Sequence, residues 1–191
     1  MNGRTLFKKY GKVIDFLVST ASVFPRSVRQ SRFEHLRMKN GKIAMLKRYV
    51  LLRTLCKKCG TNVSVFPSCF FLNLENLEIG SNVSIHEMCY LDAEGGISIG
   101  DEVSIAHRTT VLSSNHGYER NDIPIKYQEM KLKQTSIQDN VWIGCGCSIM
   151  AGTTVKSGCV IGAGSVVTHD TAANSIVVGV PAKKIKDRIK G

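Results

Sequence analysis

The feature that most restricts this chain is a step of six. Apolar residues followed by glycine or a small polar residue fall at Cys59, Val65 and Phe71, then Ile79, Ile85 and Leu91, then Ile99, Ile105 and Val111. After a gap they resume at Ile137, Ile143, Ile149, Val155, Ile161 and Val167. Four residues after most of these marks stands a small or β-branched residue: Val83, Cys89, Val103, Thr109, Val141, Cys147, Thr153, Cys159, Ser165. Helices repeat at about 3.6 residues and strands at about 2, so six fits neither alone. It fits a short strand plus a turn, with one aliphatic side chain inward and one small side chain at the corner. Three such units close a triangular coil of about 18 residues, and stacked coils bury together what one unit cannot bury alone. The marks group into about five coils.

Composition supports this reading. Aromatic residues are 7% of the 191-residue chain and apolar residues 43%, so small aliphatics must do most of the packing. The net charge of +11 is uneven. Residues 1–60 carry 15 Lys/Arg against two acids, Asp15 and Glu34, whereas the remainder is slightly acidic. A basic segment can meet nucleic acid, a membrane face or phosphorylated ligands. No nucleic-acid-binding motif accompanies it, so no nucleic-acid partner is expected. No run of about 18 apolar residues exists to span a membrane. The opening "MNGRTLFKKYGKVIDFLVSTASVF" is faintly like a signal peptide, but Asp15 interrupts its apolar part. It reads as mature protein, and the expected location is the cytoplasm.

Seven cysteines raise a metal reading through Cys56-Lys-Lys-Cys59 and Cys145-Gly-Cys147. A second CxxC at zinc-finger spacing is missing. The repeat explains Cys69, Cys89, Cys147 and Cys159 as small inward corner residues, where a thiol acts as a small hydrophobe. No metal is expected.

The repeat stops between Val111 and Ile137, in "VLSSNHGYERNDIPIKYQEMKLKQTSI". A long excursion inside a compact repeat is usually functional or disordered. This one holds Tyr118, Pro124, Tyr127 and mixed charge, which suits packing more than a floppy linker.

The motifs "SSNHG", "IQDNVWIGCGCSIMAGTTV", "VIGAGSVVTHD" and "VVGVPAKKIK" resemble those of the hexapeptide-repeat acyltransferases, closest to the sugar and polysaccharide O-acetyltransferases. The resemblance covers roughly two-thirds of the chain and implies a mostly β, left-handed parallel β-helix. Residues 1–58 are then a basic, largely helical N-terminal segment. Residues 59–175 form the β-helix with an extruded loop at 113–134, and 176–191 form a C-terminal turn and basic tail. In this family an extruded loop covers the active site, and the histidine at its root is the catalytic base; His116 matches that position. Neutral imidazole has a pKa near working pH, which suits proton removal from an attacking hydroxyl.

The resemblance further implies acetyl-CoA as co-substrate. Its contacts fall on Trp142, Gly144, Cys145, Gly162, Ala163, Thr168 and His169, with Lys183 and Lys184 available to its phosphates. His169 stands where the family often has lysine. Acceptor contacts are expected at His86, Asp92, Asn115 and Tyr118; His86 departs from an asparagine seen in some relatives. A homotrimer is expected, since outward residues such as Val160 and Val166 would be exposed in a monomer. The same donor with another acceptor (an antibiotic, an amino sugar or serine) stays open, as does a non-catalytic or zinc-binding β-helix.

The stretch from Phe24 to Gly60 mixes basic and aliphatic residues at helix-like spacing. It suits a cap over the open end of the β-helix and also peripheral contact with an anionic membrane face, where a lipid-linked sugar acceptor would lie.

Overall fold

The computed structural model describes residues 3–188. The outermost residues of the expected N-terminal segment and tail, Met1, Asn2 and 189–191, lie outside them. Three helices, α1 (Gly3–Ser22), α2 (Arg26–His35) and α3 (Lys42–Leu55), precede a left-handed parallel β-helix with three flat faces. The first face stacks Lys58–Cys59, Leu77–Ile79, Ile97–Ile99, Thr135–Ile137 and Thr154–Val155. The second stacks Ser64–Val65, Ser84–Ile85, Ser104–Ile105, Trp142–Ile143, Val160–Ile161 and Ser175–Gly179, then Ala182–Asp187 running antiparallel at its edge. The third stacks Phe70–Leu72, Tyr90–Asp92, Thr110–Leu112, Ser148–Ile149 and Val166–Val167.

Each mark of the six-residue step occupies one strand, and like stacks on like. Cys59, Ile79, Ile99, Ile137 and Val155 are register partners on the first face. Val65, Ile85, Ile105, Ile143 and Ile161 are partners on the second. Phe71, Leu91, Val111, Ile149 and Val167 are partners on the third. All but Cys59, which is half-buried, are buried. Burying each such side chain contributes about 1.5–3 kcal/mol. The expected five coils are present, and a sixth tier exists on the second face. There Val177 is buried over Ile161. It follows Val167 by ten residues, so a hexad reading passes over it.

The corners explain the polar half of the repeat. Between the first and second faces, Asn62, Asn82, Glu102, Asn140, Gly158 and Asn174 all have φ between 51° and 73°. This left-handed conformation costs most L-residues about 1–2 kcal/mol, and asparagine or glycine least. The Asn62 amide donates to Asn82 Oδ1 (2.8 Å), and the Asn82 amide to Glu102 Oε1 (2.7 Å). At the corner between the second and third faces, small inward side chains reach the next coil. Cys69 donates to the His86 carbonyl (2.9 Å), Cys89 to Ala106 (3.2 Å), Thr109 to Gly144 (3.1 Å) and Cys147 to Gly162 (3.1 Å). The thiols therefore fill core corners, as their spacing predicts.

The open end of the first coil lies under α3. Tyr49, Leu52 and Leu55 are buried there, and the Tyr49 hydroxyl donates to the Gly60 carbonyl (2.9 Å). Cys56 and Cys59 sit below the same helix; burial pushes the Cys59 thiol up to about 12 and the Cys56 thiol well above its usual value. Neither is a ready thiolate. Arg48 is 2% exposed. Its Nε donates to the Val65 carbonyl (3.0 Å) on the bare edge of the second face. One Nη donates to the Leu36 (2.9 Å) and Lys39 (2.7 Å) carbonyls beyond α2. One guanidinium thus ties the first coil to the helices. Replacing it leaves buried carbonyls unpaired, each a loss of about 1–3 kcal/mol. Arg48→Met is expected to lower unfolding free energy by roughly 3 kcal/mol in a urea titration. A loss under about 1 kcal/mol would mean that the helices hold by apolar packing alone.

Candidate active site

The gap in the repeat is a ribbon. The chain leaves the third corner after Leu112 and rejoins the first face at Thr135. Between them Ser114–His116 pairs antiparallel with Met130–Leu132, with Asn115 opposite Lys131 and His116 opposite Met130. The Gly117 N–H extends the pairing to the Glu129 carbonyl (3.0 Å). Towards the tip, the Gln128 amide donates to the Arg120 (2.7 Å) and Ile123 (2.9 Å) carbonyls and accepts from the Arg120 N–H (3.1 Å). Lys131 and Glu119 form an ion pair. The excursion is thus a hydrogen-bonded ribbon, but it does not pack as its composition suggested: Tyr118, Ile125 and Tyr127 are exposed. Its strand character escaped the sequence reading, because three-residue strands such as Ser-Asn-His are too short to show alternation.

The ribbon is rooted through Ser113, which is fully buried. Its hydroxyl donates to the Asp92 carbonyl (2.7 Å) and accepts from the Gly95 N–H (2.9 Å). The Lys133 N–H donates to the Ser113 carbonyl (2.8 Å), and the Thr135 hydroxyl to the Leu112 carbonyl (2.7 Å). A Cβ at Gly95 would lie 2.2 Å from the Ser113 carbonyl oxygen, so only glycine lets the coil and the root approach this closely. Sequence reasoning passed over Gly95 and Thr135; the Gly95-Gly96 pair just ahead of the excursion was the available signal. Ser113, committed to these bonds, is no free nucleophile.

At this root stand four of the candidate residues. His116 and Tyr118 are exposed, and Asn115 and Asp92 are half-buried. Strand alternation puts Asn115 on the ribbon face opposite to His116. The Asp92 carboxylate accepts from the Asn73 amide (2.9 Å) and the Glu94 N–H (3.2 Å).

A second group lies elsewhere. Trp142 stands in the outward row of the second face between Ser104 and Val160 and is 55% exposed. Gly144 and Cys145 follow at the corner towards the third face, and Gly162 and Ala163 occupy the same corner one coil further on. A Cβ on Gly144 would come within 2.6 Å of the Ala163 nitrogen, and one on Gly162 within 2.6 Å of Val178. Val178 pairs with Lys183 on the edge ribbon, and Lys184 pairs with Asp187 (2.6 Å). Glycine at these positions lets successive coils stack closely along this corner, a strip free of large side chains (the trough) that runs from an exposed indole to an edge carrying lysines. Val160 and Val166 are half-exposed beside it.

The remaining candidates fall outside both groups. Thr168 and His169 follow the last strand of the third face, at the corner opposite the trough. Their side chains bond to each other (Thr168 Oγ1 to His169 Nδ1, 2.9 Å). His86 shares the trough's corner but lies two coils before Gly144, roughly 10 Å along the axis. Its ring stacks on Phe66 (centroids 4.6 Å apart), which covers one face. Within one chain, then, the third face separates the His116 group from the Trp142 group.

Comparison with known proteins bears on the fold and the family. Residues 134–169 match the family model described as bacterial transferase hexapeptide (six repeats). The chain is 32% identical over 146 residues to the galactoside O-acetyltransferase of Escherichia coli K12, covering 74% of this chain and 68% of that protein. A maltose O-acetyltransferase of Clostridium difficile 630 superposes with a TM-score of 0.76 at 27% identity, covering 88% of this chain and 89% of the other. A galactoside acetyltransferase in complex with coenzyme A gives 0.76 at 27% identity, covering 86% and 80%. The chain spans between 25% and 47% of the length of several other curated relatives that it matches. The chain belongs to the hexapeptide-repeat transferase family.

The root geometry is testable without turnover. Gly95→Ala should push the Ser113 carbonyl outward and free the ribbon locally. Tryptic cleavage after Arg120 or Lys126 should become several-fold faster, while global stability falls by only about 1–2 kcal/mol. Unchanged cleavage would show that the ribbon is held by its tip and not by its root.

Proposed function

We propose that this chain is an acetyl-CoA-dependent O-acetyltransferase that moves an acetyl group directly onto a sugar hydroxyl of a surface polysaccharide or its precursor. The observation that carries this reading is an exposed histidine, His116, on a ribbon rigidly rooted in the coil, in a chain 32% identical to a galactoside O-acetyltransferase. In this reading the His116 imidazole accepts the proton of the attacking hydroxyl as its oxygen bonds to the thioester carbonyl carbon. The tetrahedral oxyanion is stabilised by a backbone N–H near the ribbon root. Collapse breaks the carbon–sulfur bond, and the departing thiolate takes the proton from the imidazolium. No acyl-enzyme forms, in keeping with the engaged Ser113 hydroxyl.

Coenzyme A binding is assigned to the trough. Its pantetheine arm is assigned to Trp142, Gly144, Cys145, Gly162 and Ala163, a strip without large side chains beside the exposed indole. Lys183 and Lys184 answer its phosphates. Thr168 and His169 lie at the corner that carries the ribbon root, two coils further on, and from there would face the same trough of a neighbouring copy. The two groups sit on different sides of the triangle, so His116 would meet the Trp142 trough of a neighbouring copy in a homotrimer. That arrangement covers Val160 and Val166. Acceptor contacts are assigned to Asp92 and Tyr118 near His116 and to Asn115 on the other face of the ribbon, with His86 at the margin. Cytoplasmic location follows from the need for acetyl-CoA.

His116→Ala is expected to lower kcat by about 10²–10⁴ while acetyl-CoA affinity stays within a few-fold. Retention of more than about a third of wild-type activity would remove His116 from the role. Trp142→Ala should raise the KM for acetyl-CoA. Because Trp142 is the sole tryptophan, CoA should change the protein's indole fluorescence on saturation. If calorimetry registers CoA binding and the indole spectrum does not move, the donor lies elsewhere.

A further inference from the structure

The sequence placed a basic amphipathic character on residues 24–60. In the structure most apolar side chains there turn towards the coil and helices: Phe33, Tyr49, Val50, Leu51, Leu52 and Leu55 are buried. Met38 and Ile43 are exposed singly there, whereas a row of exposed apolar side chains lies on α1. Its inward side, Gly11, Ile14, Val18 and Ala21, is buried or half-buried, and Asp15 on that side bonds Arg53 of α3 (2.6 Å). The opposite side carries Val13, Phe16, Leu17 and, at the turn into α2, Val23 and Phe24, all exposed. Phe16 is 70% and Val23 82% exposed. At 100° per residue, Val13, Phe16 and Leu17 share one arc of α1, and Phe24 follows just beyond its end. Lys9 falls within that arc, with its ammonium 5.4 Å from the Tyr10 ring centroid, and Lys12 lies at its flank. The arc holds no carboxylate.

We propose that this arc of α1 docks on an anionic phospholipid surface. The charge decides between occupants. Residues 1–60 carry 15 Lys/Arg against two acids, and one of those acids is already paired on the inward side. A second copy laid arc to arc about a two-fold axis would bring Lys9 and Lys12 against their equivalents. An anionic bilayer accepts the aromatic and aliphatic side chains at its headgroup boundary and attracts the lysines around them. Lysine stems can lie along apolar surface with the charge at the water side. No described helix is long and apolar enough to cross a membrane, so the contact is peripheral. This inference stands apart from the transfer chemistry, because its test uses no turnover.

The experiment is co-sedimentation of the full chain with phosphatidylcholine vesicles and with vesicles containing about a third phosphatidylglycerol. Binding is expected only to the anionic vesicles and should weaken at least several-fold when salt rises to about 0.5 M. The variant Val13→Ser/Phe16→Ser should bind at least tenfold more weakly with an unchanged melting curve. Lys9→Glu/Lys12→Glu, which leaves the apolar arc intact, should lose the preference for anionic lipid and serves if the first variant misfolds. Absence of binding by the native chain, or equal binding by both variants, overturns the proposal. A change in the association state of Val13→Ser/Phe16→Ser by light scattering also overturns it, by giving the arc to a second copy.

Discussion

Every part of this molecule answers to the stacking of one coil on the next. A coil six residues to a side has no interior of its own. Its Ile, Val and Leu side chains become core only when the coil above places the same kind of residue in register, as Ile85, Ile105, Ile143 and Ile161 do. The backbone is held likewise, through parallel pairing between rungs. The arrangement tolerates little drift, because a one-residue slip would turn the inward side chain outward. It is indifferent to what leaves the coil at a corner, provided the chain returns to the correct rung. The Thr135 hydroxyl bond to the Leu112 carbonyl marks that return, and Ile137 lands on Ile99. A long insertion then adds only weakly growing closure entropy. Function can be placed on the corner without disturbing the column.

Stacking also creates two problems at its ends. The first coil exposes carbonyls and aliphatic tops that no coil covers. The helices meet this with apolar packing from α3 and with Arg48, whose donors span the coil edge and the chain beyond α2. At the far end, Ala182–Asp187 runs antiparallel to Ser175–Gly179, so the top of the second face is bordered by a strand rich in lysine. Exposed strand edges invite pairing with other chains, and lysines on the edge discourage it. Thus the two ends are closed by different means, one apolar and one charged.

The fold was legible because its rule is local. A step of six is visible in fifteen residues, and each of them occupies the strand position that the rule assigns. The inward cysteines were legible for the same reason. What broke the rule was harder to see. Val177 lies at the correct rung but after a ten-residue gap, and the ribbon strands at Ser114–His116 and Met130–Leu132 are too short to show a period. Gly95 is needed only because another segment comes within 2.2 Å of where its Cβ would be, a contact between distant residues. The outward face of α1 escaped for a further reason: amphipathic spacing does not say which apolar side is already covered.

The candidate site shows the same limit on a larger scale. Motifs in the sequence mark His116 and Trp142 with equal clarity, but carry no information on which side of the triangle each will face. The structure sets them on opposite sides of the third face. A flat-sided coil can hold only shallow troughs, and a trough leaves a bound thioester open to water. Transfer without hydrolysis requires a second wall, since water excluded from the site is what lets a general base choose the sugar hydroxyl. Under the proposed chemistry that wall is the rooted ribbon of a neighbouring coil, carrying the base to a donor held by another chain. Rigidity at Ser113 and Gly95 then has a catalytic meaning. A base delivered across an interface is useful only if its own root does not move, because an error of about 1 Å in its position can cost about 10²-fold in rate.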